Sequence, residues 1–274
     1  MIRREIRLAD GARGWMLISQ IEHARISAQL ASHAIHQFGA ARERAGSSST
    51  PASVCQETLD AILHHDDGWA DWERAPRLDP ELRRPLTFTE LEPAEALAIW
   101  TASIDAAAAI GPLAASMVAG HFMRLLDHGD TLHTYSAAVA WRDQMTYRRG
   151  AWLAVWHALD PAAHTPAVAA KALEWLWAFD EISLWFCTTC PAAGEVDAKA
   201  PPSYLAGRGT PVEMQLLAAD ARAGRAAAAP WRFDGNKIAI VAVGQAVPAH
   251  GYADSQALVA ACRPHRQSWL FTRS

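Results

Sequence analysis

The sequence predicts a mainly α-helical fold with a small antiparallel β-sheet formed by the N- and C-terminal segments. Two observations predict this fold class. Apolar residues recur at helical spacing through a body of about residues 20–190. Alternating or continuous apolar runs, typical of strands, occur towards the two ends, in accessory β elements expected within 1–20 and 230–274. We therefore expect a single domain over 1–274, which is long enough to bury a sizeable core.

The N-terminal segment predicts a β-hairpin and then a helix. Residues 2–8 and 14–20 alternate or run apolar on either side of Asp10-Gly11, a strong turn signal. Beyond the hairpin, apolar residues recur every third or fourth position. This spacing predicts an amphipathic helix over 21–39.

The middle of the chain predicts a helical body interrupted by loops. Ser53 and Gln56 have the spacing of a helix N-terminal cap, and the helix that they begin is expected to end near Asp66. Loops are predicted at 41–51, which is polar, and at 191–211, which is rich in Pro, Gly and Ala. Further helices are predicted over 93–109, 113–127, 131–158 (one or two helices) and 166–188.

The C-terminal segment predicts two strands with a short helix between them. Residues 237–244 and 268–273 are apolar runs typical of strands, and 255–262 has the pattern of a helix. We expect these strands to join the N-terminal hairpin in one small sheet on the outside of the helical body.

The composition argues against several classes of protein. Apolar residues make up 51% of the chain and charged residues 20%, which excludes a disordered chain. A net charge of -4 gives no reason to expect a nucleic acid or an acidic membrane as a partner. No apolar run is long enough to cross a bilayer or to form a signal sequence, so we expect a cytoplasmic protein. Four cysteines do not make a disulfide framework, and we interpret Cys187 and Cys190 as buried thiols.

The most informative segment for chemistry is His64-His65-Asp66-Asp67-Gly68, at the predicted end of a helix. Four consecutive ionisable side chains are costly to bury unless something pairs them. A divalent cation would do so, because imidazole nitrogens and carboxylate oxygens are its ordinary ligands. The alternative is a solvated helix end.

His23 and Asp180 are the further candidate ligands. His23 lies near the start of the first predicted helix, beside an apolar face. Asp180 lies within the strongly apolar segment WLWAFDEISLWF, where an isolated charge is expensive unless it is paired. The alternatives are a hydrogen-bonded core histidine and a polar stripe that Asp180 shares with Glu181 and Ser183.

In chain order these residues spell H…HD…D, with a glycine two residues after the HD pair. This pattern resembles the HD-domain superfamily of metal-dependent phosphohydrolases. In that superfamily an early histidine, an adjacent His-Asp pair and a late aspartate converge on one metal ion inside a helical bundle. The resemblance covers about 20–190 and implies an HD-like helical bundle in which His23, His65, Asp66 and Asp180 bind the metal.

The whole chain also resembles an uncharacterised bacterial family known only as a domain of unknown function. The stretches that carry this resemblance are WMLISQIEHARISAQLA, HHDDGW and FDEISLWFC. The resemblance implies that these stretches matter, but it supplies no substrate and no reaction. The chain departs from the usual HD pattern at Trp69, where many members have Lys or His.

Other polar residues are candidates for the same site. His121 lies on an apolar helix and could supply a further metal ligand, as in HD proteins with two metals. His64 and Asp67 are candidates for acid–base catalysis. Trp69 is interpreted either as a core residue or as an aromatic wall of the pocket. The candidate substrate-binding residues are Arg25, which could meet an anionic group, Gln29 and Trp69.

These candidates lead to three functional hypotheses. The first is a metal-dependent hydrolase of a small phosphorylated compound, with Mn, Fe, Zn, Ni or Mg as the metal. The second is a diiron oxygenase on an HD-like scaffold, which His121 keeps open. The third is a metal- or ligand-binding protein without catalysis. The expected partner is a small molecule, and both a monomer and a homodimer fit the sequence.

Overall fold

A computed structural model describes most of the chain. Contacts between Cα atoms group it into two compact units, which we call the sheet unit and the helical unit. The sheet unit consists of Met1–Ile26, Ala70–Leu91 and Glu181–Ser274, and the helical unit consists of Ser27–Trp69 and Glu92–Asp180. The prediction of a single domain stays a prediction. The residues that the structure describes are 1–35, 52–128, 135–193, 214–220 and 223–274.

The sheet unit contains a six-stranded sheet in the order β1-β2-β5-β6-β4-β3. All neighbouring strands are antiparallel except β4 and β6, which are parallel. The prediction of a mainly α fold with a small terminal sheet is therefore wrong, and the fold class is mixed α/β. The strands are β1 (Ile2–Arg7), β2 (Arg13–Ile18), β3 (Gln215–Asp220), β4 (Arg225–Ala229), β5 (Lys237–Pro248) and β6 (Arg263–Arg273).

The N-terminal hairpin is confirmed. β1 and β2 pair antiparallel, from Ile2 opposite Ile18 to Arg7 opposite Arg13. Gly11 adopts φ +82° in the turn, a conformation that glycine tolerates without strain. β2 then pairs with β5, so the hairpin and the C-terminal strands do share one sheet.

The sheet is larger than predicted because β3 and β4 carry no clear strand signal. The inner residues of β4 are the buried alanines Ala226, Ala227 and Ala228. Alanine is depleted in strands, so burial against neighbouring strands decides this segment rather than intrinsic propensity. β5 and β6 extend beyond the predicted 237–244 and 268–273 in one long antiparallel pair.

Most helical segments follow the predicted apolar periodicity. The first helix is shorter than the predicted 21–39, because it ends at Ser32 and residues 33–35 form a turn, while 36–39 lie outside the described residues. The helix between β5 and β6 begins after Asp254, whose carboxylate accepts a hydrogen bond from the Ala257 amide at 2.8 Å. The described helices are α1 (Gln20–Ser32), α2 (Ala52–Leu63), α3 (Ala70–Arg74), α4 (Pro93–Ile110), α5 (Pro112–His128), α6 (Ser136–Leu159), α7 (Pro166–Thr188) and α8 (Ser255–Ala261). The predicted loop 41–51 and most of 191–211 lie outside the described residues.

Helix α5 is central to the helical unit. It contacts α2, α4 and α6, and all of its residues from Leu113 to Phe122 are buried. Because the apolar residues of α5 face every side, its one buried histidine, His121, must be accommodated inside the unit.

In the part of the chain that the structure describes, no helix is both long and apolar enough to cross a membrane.

Candidate metal centre

Four buried ionisable residues of the helical unit lie close together. His65 and Asp66 follow the end of α2, while His121 lies on α5 and Asp180 on α7. Their exposed fractions are 0%, 4%, 2% and 5%. Charged groups are seldom buried so completely unless they are paired or bind a metal.

The turn after α2 fixes the direction of the His65 and Asp66 side chains. It is a 3-10 turn over Asp67–Trp69, closed by a hydrogen bond from the Trp69 amide to the Asp66 carbonyl at 3.0 Å. Gly68 lies directly against α4. A Cβ atom at Gly68 would lie 2.3 Å from the Ile99 carbonyl oxygen and 2.5 Å from the Ser103 nitrogen. This contact is the physical reason for glycine at that point of the HDxG motif.

The tautomer of His65 is set by the backbone. Its Nδ1 lies 2.8 Å from the Ile62 carbonyl oxygen, which can only accept a hydrogen bond. Nδ1 therefore carries the hydrogen, and Nε2 carries the lone pair of the neutral ring. That Nε2 atom lies 3.3 Å from Asp66 Oδ2 and 3.3 Å from Asp180 Oδ1.

His121 completes this cluster. One ligand atom from each of His65, His121 and Asp180 can be chosen so that all three lie within 4.8 Å of one another. The rings of His65 and His121 meet edge to face, with centroids 5.4 Å apart. These two imidazoles and the Asp180 carboxylate, with the Asp66 carboxylate 3.3 Å from His65 Nε2, are ligand types suited to Zn, Mn, Fe or Ni. The residue types and their spacing therefore fit a divalent metal ion.

The charge of the cluster is reflected in the pKa of His65. Complete burial by itself lowers the pKa of the imidazole, since it penalises the charged form. The carboxylate of Asp66 and the hydrogen bond to Asp180 oppose this effect, and the pKa of His65 is raised well above its ordinary value. The two carboxylates therefore favour positive charge at the His65 ring.

The structure adds three residues that the sequence did not single out. The indole of Trp177 lies 5.5 Å from the His121 ring, centroid to centroid. The guanidinium of Arg124 covers the same indole at 4.5 Å, and it pairs with Glu174 at 3.1 Å. Helical spacing could have indicated them, because Trp177 precedes Asp180 by three residues and Arg124 follows His121 by three.

His64 and Asp67 form a separate pair beside the buried cluster. His64 Nδ1 lies 2.8 Å from Asp67 Oδ2, and the side chains are 42% and 35% exposed. Solvent can therefore exchange protons with this pair. The carboxylate orients the imidazole through Nδ1 and leaves Nε2 for proton transfer.

The other predicted site residues are placed as follows. His23 belongs to the sheet unit, where it is buried and its Nδ1 lies 2.7 Å from Ser183 Oγ. Arg25 also belongs to the sheet unit, and its guanidinium donates to Glu22 and to the Val241 carbonyl oxygen. Their roles as ligand and as substrate-binding residue stay predictions.

Gln29 and Trp69 belong to the helical unit. Gln29 is half-buried, and Trp69 is almost completely buried at 2% exposure. The assignment of Trp69 to substrate binding stays a prediction.

Cys187 and Cys190 are both buried, as predicted. Burial raises the pKa of the Cys187 thiol to about 12. Because the thiolate is the reactive and metal-binding form, this thiol is poorly suited to redox chemistry or to zinc binding at neutral pH.

Comparisons with known proteins give a family but no activity. No curated protein and no solved structure shows a significant match to the chain. A family model described as "Protein of unknown function (DUF3891)" matches residues 1–249. The match covers most of the chain, and the protein belongs to the DUF3891 family.

Proposed function

We propose that His65, Asp66, His121 and Asp180 bind a divalent metal ion and that the protein is a metal-dependent hydrolase of a small phosphorylated compound. One observation carries the proposal: the Nε2 atom of His65 faces two carboxylate oxygens at 3.3 Å, while its Nδ1 atom is committed to the Ile62 carbonyl. Three of these residues, His65, Asp66 and Asp180, belong to the HD-like pattern of the sequence, which supports the same assignment.

Three acceptor atoms face one another in the buried cluster: His65 Nε2, Asp66 Oδ2 and Asp180 Oδ1. While His65 is neutral, the lone pair of Nε2 and the ionised carboxylates of Asp66 and Asp180 repel each other in a buried site. This repulsion is the reason that the pKa of His65 is raised. A cation between them removes this repulsion. A proton on Nε2 satisfies only part of the set, whereas a divalent ion can accept electron pairs from all four side chains.

The chemistry follows from the metal and from the neighbouring pair. A divalent cation supplies Lewis acidity, which lowers the pKa of water and polarises a phosphoryl oxygen. His64, oriented by Asp67, would carry a proton between the reacting groups and solvent. His65 and the two carboxylates would hold the ion in a fixed position, so that little reorganisation is needed during the reaction.

Metal analysis of the purified protein tests the first half of the proposal. We expect about one equivalent of Mn, Fe, Zn, Ni or Mg per chain, retained through gel filtration and lost from Asp66→Ala. Asp143→Ala is the matched control, since Asp143 is exposed on α6. The circular dichroism of both variants should stay close to that of the unsubstituted protein. Equal metal retention in Asp66→Ala and the control would contradict the site.

A screen of phosphomonoesters with each metal tests the second half. We expect metal-dependent release of phosphate that disappears in Asp66→Ala and persists in Asp143→Ala. Stoichiometric metal without hydrolysis of any phosphorylated compound would support a binding protein instead.

A second candidate function is oxygen activation by two irons. The presence of His121 in the buried cluster favours it, because a second imidazole enlarges the ligand set beyond one His-Asp pair. Iron quantitation with Mössbauer spectroscopy separates the two functions. Two coupled irons per chain would support the oxygenase, and a single metal ion per chain would argue against it.

A further inference from the structure

Arg149 is a half-buried cation within the helical unit. It lies on α6, and its Nε donates a hydrogen bond to the Ser116 carbonyl oxygen on α5 at 3.2 Å. Among the residues that the structure describes, no carboxylate pairs with this guanidinium. Burial lowers the pKa of Arg149, and no opposing contribution from an acidic group accompanies that effect.

The neighbouring residue on the same helix shows the usual arrangement. Arg148 pairs with Asp105 at 2.5 Å and also covers the Trp152 ring at 4.7 Å. A charge removed from water without a counter-ion is destabilising, so such groups are normally paired. Arg149, which is half-buried, departs from this rule among the described residues.

The space around the guanidinium depends on a glycine. A Cβ atom at Gly120 would lie 3.0 Å from Arg149 Nε and 3.3 Å from its Cζ. It would also lie 2.8 Å from Leu173 Cδ2. Glycine in the middle of a helix costs about 1 kcal/mol relative to alanine, so its presence here calls for a reason. The side chains of Leu173 and Arg149 occupy the space that a Cβ atom would need, and this close packing explains the glycine.

We propose that Arg149 is the binding residue of an oxyanion site and that a phosphate group is its ligand. The guanidinium has five N–H donors, of which the Ser116 carbonyl engages one, so two parallel donors can meet two oxygens of a phosphate. Its planar fork matches that geometry better than an ammonium does. A dianion would supply the counter-charge that the described part of the chain does not.

The site stands independently of the metal centre. It requires only Arg149, Gly120 and the Ser116 carbonyl, none of which is a candidate metal ligand. Gly120, which lies against the Arg149 guanidinium, immediately precedes the candidate metal ligand His121 in the sequence. If the metal-dependent hydrolysis fails to appear, phosphate binding at Arg149 can still be measured.

Phosphate titration of the chelator-treated protein tests the proposal. Thermal unfolding is followed at constant ionic strength with inorganic phosphate, with sulfate as a tetrahedral analogue and acetate as a carboxylate. We expect phosphate to raise the unfolding temperature of the unsubstituted protein and of Arg148→Gln, the matched control. Arg149→Gln should weaken phosphate binding by about tenfold or more, since it removes charge-assisted hydrogen bonds.

Two further variants distinguish a loss of phosphate binding from a loss of folding. Arg149→Lys retains the charge and should bind phosphate more weakly than the unsubstituted protein but more tightly than Arg149→Gln. Gly120→Ala should weaken binding because its Cβ would displace the guanidinium. Equal phosphate affinity in Arg149→Gln and Arg148→Gln would overturn the proposal. So would stabilisation of the unsubstituted protein by acetate that equals that by phosphate.

Discussion

His65 Nε2 lies 3.3 Å from Asp180 Oδ1, although 115 residues separate them in the chain. The contact joins the turn after α2 to the middle of α7. It accounts for a buried carboxylate in a strongly apolar stretch of α7, because Asp180 is paired rather than isolated. The two residues therefore form the core of the candidate metal centre in the helical unit.

The charge of Asp180 is expected to be essential for metal binding. Asp180→Asn keeps the size of the side chain but removes one of the two carboxylate charges that face His65. We expect metal affinity to fall about tenfold or more, measured by competition with a chromophoric chelator. Asp143→Asn, an exposed substitution on α6, should leave the affinity unchanged. An Asp180→Asn protein with unaltered affinity would remove Asp180 from the ligand set.

Gly68 and Gly150 are expected to respond in opposite directions to alanine. A Cβ at Gly68 meets the α4 backbone at 2.3 Å, so Gly68→Ala should reduce the free energy of unfolding by about 3 kcal/mol. A Cβ at Gly150 meets nothing within 4 Å, on an exposed part of α6. Gly150→Ala should therefore increase stability by about 0.5–1 kcal/mol through helix propensity. Urea unfolding of both variants measures the difference, and similar losses in both would contradict the close approach at Gly68.

Glu57 is expected to make stability depend on pH. Its Oε1 accepts hydrogen bonds from the Leu113 and Ala114 amides at the start of α5, at 2.9 and 3.2 Å. Burial raises the pKa of Glu57 in spite of these bonds, so the folded protein favours the protonated form more than the unfolded chain does. The resulting stabilisation is present below the unfolded pKa of about 4.3 and is lost as pH rises through the folded pKa.

The test of this pH dependence is Glu57→Gln, which keeps an oxygen acceptor but cannot ionise. The stability of Glu57→Gln relative to the unsubstituted protein should increase between pH 4 and pH 7. Urea unfolding across that range measures the change. A difference in unfolding free energy that stays constant with pH would show that Glu57 does not contribute in this way.

His64 is expected to act on turnover and not on metal binding. It is oriented by Asp67 and lies outside the four-residue cluster, so His64→Ala should leave the metal content intact. If His64 transfers a proton, kcat for a phosphorylated substrate should fall by about a hundredfold. Asp67→Asn should produce a smaller loss, because it disturbs only the orientation of the imidazole. Loss of metal from His64→Ala would instead make His64 part of the binding site.

His23 remains a ligand predicted by the HD-like pattern of the sequence. If the resemblance holds for this residue, His23→Ala should lower the metal content of the protein while helical content is retained. His33→Ala, a substitution of another histidine close to the end of α1, is the control. Metal content unchanged by His23→Ala would restrict the site to the four residues of the helical unit.

The sequence by itself determined the features that depend on near neighbours in the chain. The turn signal Asp10-Gly11 predicted the N-terminal hairpin, and the spacing of apolar residues predicted the helices of the helical body. The segment His65-Asp66, followed by Gly68, was recognisable because four consecutive ionisable residues are rare at a helix end. These patterns act over a few residues, so the tertiary structure is not needed to read them.

The tertiary structure decided what depends on distant contacts. The alanines of β4 form a strand because β3 and β6 provide hydrogen bonds and burial, so the sheet is larger and the fold class mixed rather than mainly α. The side chain of Arg149 has no carboxylate partner among the described residues, which its sequence neighbours cannot show. Pairing and burial over such distances depend on which surfaces pack together, and that choice is a property of the whole fold.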